Sequence, residues 1–214
     1  MKVLELFCGT KSISNAFRER GHEVFTVDWE KDFEPTLCAD IMTLTVGDIL
    51  HLCNGKPDVI WASPDCTSYS IAGIGYHRVK NKETGDLMPV SQYASFCDDV
   101  NRHLIELIEA IRPKVYFIEN PMGGFRKMRF VQGIPRHTVT YCQYGYPHMK
   151  PTDIFTNHPK PNFKPPCKNG SPCHLPSPRH SQQFSSRRRA AERRVIPKAL
   201  CEHIVNICEE VVKA

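Results

Sequence analysis

No stretch of this chain is both long and apolar enough to cross a bilayer, and nothing near Met1 reads as a secretory leader. Those absences exclude a helical membrane protein and lead to the expectation of an intracellular chain without a membrane partner. Phosphate-binding glycine loops are missing too. "FCGTKS" holds a single glycine, with neither the G-x-G-x-x-G of dinucleotide folds nor a G-K-[ST] triphosphate loop, so both ligand classes are disfavoured. No internal repeat is visible, and 214 residues suit one sizeable core with at most a small appendage. The ten cysteines scatter through helix-like and strand-like stretches, which favours free thiols over a disulfide framework. The net charge of +5 is modest but uneven. "RHSQQFSSRRRAAERR", Arg179 to Arg194, sets arginines beside hydroxyls and amides, a composition that suits phosphate oxygens or, equally, a solvated helix face.

What is present alternates between strand and helix patterns. "KVLELF" is a short apolar run with Glu5 inside it, "CGTKS" a turn, "ISNAFRER" helical in spacing, and "HEVFTVDW" a second strand. "ADIMTL" is read as a short third strand before a helix-like "VGDILHLC", "PDVIWAS" as the fourth, and "KVYFIEN" as the fifth. "YASFCDDVNRHLIELIEAIR" is an amphipathic helix between them. "TVTYCQYGY" and "DIFTN" read as a late hairpin, and "PKALCEHIVNICEEVVKA" as a closing helix with Pro197 at its first turn. The fold class is α/β, with a mainly parallel sheet layered by helices. The expected division is a core over 1–158, a Pro- and Arg-rich segment over 159–194 with no regular structure assigned from Pro159 to Pro178, and a C-terminal helix over 195–214 packing back on the core. The long polar stretch from Ile74 to Pro89 is expected to be a loop, either functional or disordered.

In such a sheet, ligands bind beyond the carboxyl ends of the strands. The residues there are Phe7, Cys8, Gly9 and Thr10, then Asp28 and Trp29, Asp40 and Ile41, Ser63, Pro64 and Cys66, and Glu119 and Asn120. The first half suits a nucleoside. Gly9 lets backbone approach a ligand, Asp28 can accept from a ribose diol, Trp29 can lie against a purine and Asp40 can accept from an exocyclic amine. The second half suits covalent chemistry, with Cys66 at a strand-to-helix turn whose amides would lower its pKa. Glu119, at the end of a buried strand, is expected to have a raised pKa and to hold or donate a proton.

These stretches resemble the motifs of the cytosine-5 DNA methyltransferases, which use S-adenosylmethionine. "LELFCGT" resembles D-L-F-A-G-x-G-G, "VDWE" the acid-aromatic second motif, and "ADI" the third, G-D-I. "SPDCTSYSIAG" is similar to the x-P-P-C-Q-x-F-S-x-x-G nucleophile motif, with Pro64, Cys66, Ser70 and Gly73 in register. "FIENP" is similar to E-N-V, "QYGYPHMKPTDIF" to Y-G-x-P-Q-x-R-x-R, and "RRVIPKAL" to G-N-A-V-P-P-x-L. All seven occur in family order.

The resemblance implies a Rossmann-like sheet with helices on both faces and methyl transfer to carbon 5 of cytosine through a covalent Cys66 adduct. By the same resemblance Glu119 holds the ring, Asn120 orders the turn beside Pro64, and the mobile loop over the site spans Ile74 to Pro89. Phe7, Cys8, Gly9, Thr10, Asp28, Trp29, Asp40, Ile41 and Ser63 hold the cofactor. Substrate contacts fall to Ser70, Lys150 and the run Arg187, Arg188 and Arg189. The partner is DNA, with RNA open, in a bacterial or phage-infected cytoplasm and a restriction-modification setting. An amino-group base methyltransferase and a nucleic-acid-binding protein on a degenerate methyltransferase fold are the alternatives.

The sequence departs from the family pattern in several places. Lys11 and Ser12 replace two glycines, Asp65 replaces the proline before the cysteine, Thr67 a glutamine, and Lys150 and Thr152 two arginines. Only residues 159–194 stand where the family inserts a recognition domain, which implies short specificity or a partner that supplies it. Cys167, Cys173 and His180 are zinc ligand types, but their spacing does not match a zinc finger and Cys173 and His174 are neighbours, so incidental loop thiols are expected.

Overall fold

The computed structural model describes residues 1–175 and 194–213. Seven strands form one sheet in the order β3-β2-β1-β4-β7-β9-β8. Its first five are β1 (Lys2–Leu6), β2 (Glu23–Asp28), β3 (Leu37–Cys38), β4 (Val59–Ala62) and β7 (Val115–Pro121), all parallel. Beyond β7 the antiparallel pair β8 (Arg136–Thr140) and β9 (Pro151–Thr156) completes the sheet, as the late hairpin required.

Alternation along each strand decides which helix covers which face. Leu4, Leu6, Ile60, Ala62 and Ile118 pack towards α2 (Val46–Leu52) and α4 (Gln92–Ile111). Val3, Val59, Trp61, Val115 and Phe117 pack towards α1 (Ser12–Glu19) and the C-terminal helix α5 (Lys198–Lys213). Pro197 lies just before α5, and its carbonyl accepts from the amides of Leu200 and Cys201. With both faces of the parallel strands buried, polar chemistry is confined to their ends.

Three segments differ from their sequence reading. "TVTYCQYGY" is strand only to Thr140, after which Tyr141–Tyr144 closes into a 3-10 turn. The third strand is Leu37–Cys38, while Ile41–Thr43 forms a 3-10 turn because the Asp40 carboxylate accepts from Met42 N and caps it. The stretch from Ile74 to Pro89 is built rather than irregular. It holds a helical turn, α3 (Ile74–His77), and the hairpin strands β5 (Arg78–Lys80) and β6 (Leu87–Pro89). Arg78 anchors it. Its guanidinium is buried, grips Asp98 of α4 through both nitrogens at 2.7 and 3.1 Å, and lies 4.2 Å from the centre of the Tyr69 ring.

Candidate active site

Two adjoining hollows open at the carboxyl ends of the parallel strands, sharing Phe7, Asp28, Trp29 and Asp65, and so form one cleft. The larger has a volume of about 330 Å³, with apolar walls from Phe7, Val27, Ile41 and Val100 and the carboxylates of Asp28 and Asp40 at its rim. A small apolar cavity with a few placed acceptors is what a nucleoside needs. The neighbouring hollow, about 230 Å³, contains Cys66, Glu119, Lys150, Gly9 and Thr10.

The turn after β1 owes its shape to backbone conformations that side chains disfavour. Phe7, Gly9 and Lys11 have φ of 56°, 43° and 57°, all left-handed. A Cβ on Gly9 would meet nothing closer than 4.0 Å, so glycine serves the conformation there and not the space. Lys11, standing where the family motif has glycine, adopts the left-handed conformation nonetheless, and its ammonium donates to Glu34 O at 2.7 Å. Asp28 fastens this turn to β2, accepting Gly9 N at 2.9 Å on one oxygen and Glu30 N at 3.0 Å on the other. Each oxygen keeps a further lone pair for a ligand hydroxyl. Trp29 is 73% exposed, so its ring face is available above the cavity. Cys8 is buried, and Ser63 accepts the indole N–H of Trp61 at 2.8 Å while its hydroxyl borders the second hollow.

The strand register brings the reactive pair together. Ala62 of β4 lies beside Ile118 of β7, so the residues that follow, Ser63 to Cys66 and Glu119 to Asn120, emerge side by side. Asn120 donates to the carbonyl of Pro64 at 3.3 Å, tying the nucleophile turn to β7. The buried Glu119 carboxylate accepts the hydroxyl of Tyr141 at 3.0 Å. Lys150 sits 4.6 Å above the same tyrosine ring, and its charge opposes the two acids around Cys66. Burial pushes the Cys66 thiol up to about 11, with Glu119 and then Asp65 adding to the rise.

The expected helix N-terminus at Cys66 is not there. The residues after it form turns in which Tyr69 N and Ser70 N donate to Cys66 O, and the next helix is the four-residue α3. The thiol therefore lacks a helix N-terminus, and the one backbone hydrogen bond that lowers its pKa is outweighed by burial and the two acids. Asp65 does not stand free beside it either. Its carboxylate accepts Thr67 N at 2.7 Å, Thr67 Oγ1 at 3.2 Å and the Tyr93 hydroxyl at 2.7 Å, so it shapes the turn while still repelling a thiolate.

Of the other expected residues, Ser70 uses its hydroxyl within the loop, donating to Thr67 O and accepting from Gly73 N, and does not border the cleft. Arg187, Arg188, Arg189 and His180 lie outside the described residues. Arg194, at the end of the basic run, and Ile196 do border the cleft, and Ile196 N donates to Ser12 Oγ at 3.3 Å. Cys167 and Cys173 lie away from it, grouped with Cys142 and His174 rather than scattered.

Several contributors escaped the sequence reading. Tyr93 and Phe96, half-exposed on the first turns of α4, line the larger cavity. Two large aromatics three residues apart beside the helix's core stripe were the available signal. Glu5, an acid within an apolar run, reaches the floor of the second hollow, where it accepts Ser14 N at 2.9 Å and also bonds the Ser14 hydroxyl.

The larger hollow has the makings of a nucleoside pocket and adjoins one that pairs a cysteine with an acid; comparison with known proteins points the same way. A probable DNA (cytosine-5)-methyltransferase of Frog virus 3 is 28% identical over 166 residues, 73% of this chain and 71% of the viral protein. Among solved structures, a putative DNA modification methyltransferase encoded within an E. coli prophage superposes with a TM-score of 0.52 at 16% identity, over 73% of this chain and 46% of the other. A methyltransferase of Entamoeba histolytica superposes with a TM-score of 0.50 at 16% identity, over 83% and 57%. The fold is thus that of these proteins, and the chain spans about half the length of each of the two solved structures. The family model of the C-5 cytosine-specific DNA methylase matches residues 1–129, which include the nucleophile turn and the Glu119–Asn120 strand end, and the chain belongs to that family.

Proposed function

We propose that this chain transfers a methyl group from S-adenosylmethionine to carbon 5 of cytosine in DNA, with Cys66 as a transient covalent nucleophile. The observation that carries the reading is the convergence of Cys66, Glu119 and Lys150 in one hollow that opens onto a nucleoside-sized cavity. The cavity fits the cofactor: Asp28 has lone pairs for the ribose diol, Phe7, Ile41 and Trp29 offer surfaces for adenine, and Asp40 an acceptor for its amine. When bound there, the cofactor supplies an electrophilic methyl carbon to the adjoining hollow. Cysteine addition needs the target base out of its stack, so the duplex must yield one nucleotide to the cleft.

The Cys66 thiolate forms a bond to carbon 6 of the ring, the C5–C6 π pair shifts to C4–C5 and the C4–N3 π pair moves onto N3, leaving an enamine whose carbon 5 is nucleophilic. Glu119, held by Tyr141, binds the N3 edge and the amino group and stabilises the charge that develops there. Once carbon 5 carries the methyl group, its proton leaves to a base, the C–S pair returns to Cys66, and the aromatic ring is restored. Pairing Glu119 with the base also offsets the larger of the two charges that oppose a Cys66 thiolate, so nucleophile formation is coupled to occupancy of the site. Residues 159–194 stand in place of a recognition domain, and target choice is short or supplied by a partner. Phosphate contacts from Arg187, Arg188 and Arg189 would position the duplex without reading sequence.

The test is incubation of the chain with S-adenosylmethionine and a duplex carrying 5-fluorocytosine. A covalent complex stable to denaturant is expected, and none from Cys66→Ser. Methyl transfer that survives Cys66→Ser would indicate amino-group methylation instead. Bisulfite mapping of ordinary DNA reports the target context.

A further inference from the structure

The methyl-transfer chemistry leaves a second group of reactive side chains unused. Cys142 sits on the 3-10 turn Tyr141–Tyr144 after β8, while Cys167, Cys173 and His174 belong to the irregular chain beyond β9. Their ligand atoms all lie within 4.8 Å of one another. Cys142 Sγ is 3.1 Å from Cys167 Sγ and 3.8 Å from Cys173 Sγ, and His174 Nδ1 is 3.7 Å from Cys167 Sγ and 3.5 Å from Cys173 Sγ.

A tetrahedral zinc ion, with Zn–S of about 2.3 Å and Zn–N of about 2.0 Å, sets its ligand atoms roughly 3.5–3.8 Å apart. Three of the four separations fall in that range. The fourth, 3.1 Å, is compressed yet far beyond the ~2.05 Å of a disulfide. Three sulfurs and an imidazole are a soft donor set that favours zinc over magnesium or calcium, and four protein ligands leave no open position for catalysis.

The surroundings are those of a structural site. Gln143 Nε2 donates to Cys173 Sγ at 3.4 Å, the kind of outer hydrogen bond that steadies a thiolate ligand. Among the described residues from 157 to 175 there is no helix or strand, yet this stretch docks on the same end of the sheet. Lys164 N donates to Tyr144 Oη at 2.9 Å, Cys167 N to Thr140 Oγ1 at 3.0 Å and Leu175 N to Pro147 O at 2.8 Å.

We propose that Cys142, Cys167, Cys173 and His174 bind one structural zinc ion that fastens the chain entering the arginine-rich segment to the β8–β9 end of the sheet. On binding, the three thiols release their protons to solvent, the neutral imidazole coordinates through Nδ1, and no group changes oxidation state. The ion also steadies the turn that begins at Tyr141, whose hydroxyl holds Glu119. The sequence concealed the site because Cys142 is distant in the chain and because neighbouring Cys173 and His174 do reach a common point.

The full chain, expressed with zinc in the medium and purified under reducing conditions, should carry about one zinc per chain by plasma mass spectrometry. Exchange into cobalt(II) should give thiolate charge-transfer bands and the intense visible absorption of a tetrahedral ion. Cys167→Ser and His174→Ala should lose most of the metal, whereas Cys38→Ser and His180→Ala should retain it. Should the ligand variants fail to fold, the cobalt spectrum of the unmodified chain still decides the matter. A chain that holds no zinc and shows no cobalt charge transfer, a Cys142–Cys167 disulfide in the freshly reduced protein, or loss of zinc in His180→Ala would each overturn the assignment.

Discussion

Raising the pH over the free chain measures how strongly the cleft suppresses its own nucleophile. Burial, Glu119 and Asp65 hold the Cys66 thiol up to about 11, against 9.0 for an unperturbed cysteine. At pH 8 that leaves a thiolate fraction on the order of 10⁻³, where a free thiol has roughly a tenth, a penalty of about 3 kcal/mol. Alkylation of Cys66 by iodoacetamide should therefore run about a hundred times slower than that of an unperturbed thiol at pH 8, and climb about tenfold per pH unit without levelling before pH 10. The rate is read by timed quenching and mass spectrometry of the peptide containing Cys66. Glu119→Gln should lower the midpoint more than Asp65→Asn, and Lys150→Met should raise it, because that is the order in which these charges act on the thiol. A plateau by pH 9, or a larger effect from Asp65 than from Glu119, would refute the electrostatic reasoning.

Three further outcomes follow from groups around the site. Glu5 is buried, and desolvation raises its carboxyl from 4.5 to about 7. The folded chain therefore holds that proton more tightly than the unfolded one, so this contribution to stability is intact below pH 4.5 and declines as pH rises to about 7, by about 3 kcal/mol. Urea titrations across that window should show the decline, and Glu5→Gln should flatten it. Lys11→Gly should raise the denaturation midpoint by the equivalent of up to about 1 kcal/mol, since it relieves a left-handed side-chain residue, while Lys11→Ala should give no gain. Arg78→Met strands the buried Asp98 carboxylate and should cost about 3–5 kcal/mol in chemical denaturation, and a loss below about 1 kcal/mol would contradict the pairing.

How far the sequence could be read depended on whether a residue's role was local. Strand alternation and the long stripe of α4 are local patterns, and β1, β2, β4, β7 and α5 fell where periodicity put them, whereas β8 stops at Thr140 and the rest of its expected stretch becomes the 3-10 turn Tyr141–Tyr144. Ile41–Thr43 departs too, because the Asp40 cap competes with strand pairing at short range and the polar side chain wins. Residues at strand ends were legible as a rim because a parallel sheet brings its carboxyl ends together whatever the loops do. Tyr141 and Tyr93 were not, since each acts through a partner many residues away, Glu119 in one case and Asp65 in the other.

By itself, then, the sequence determined the α/β class, the ordered set of motifs, and the candidacy of Cys66 and Glu119, because these rest on chemistry carried by short contiguous stretches. Only the tertiary structure decided that Asp65 is bound into the nucleophile turn, that no helix assists the thiol, that Arg78 pins the expected loop, and that Cys142 meets Cys167, Cys173 and His174. Each of those depends on distances between segments far apart in the chain, which are set by how the sheet and its helices pack.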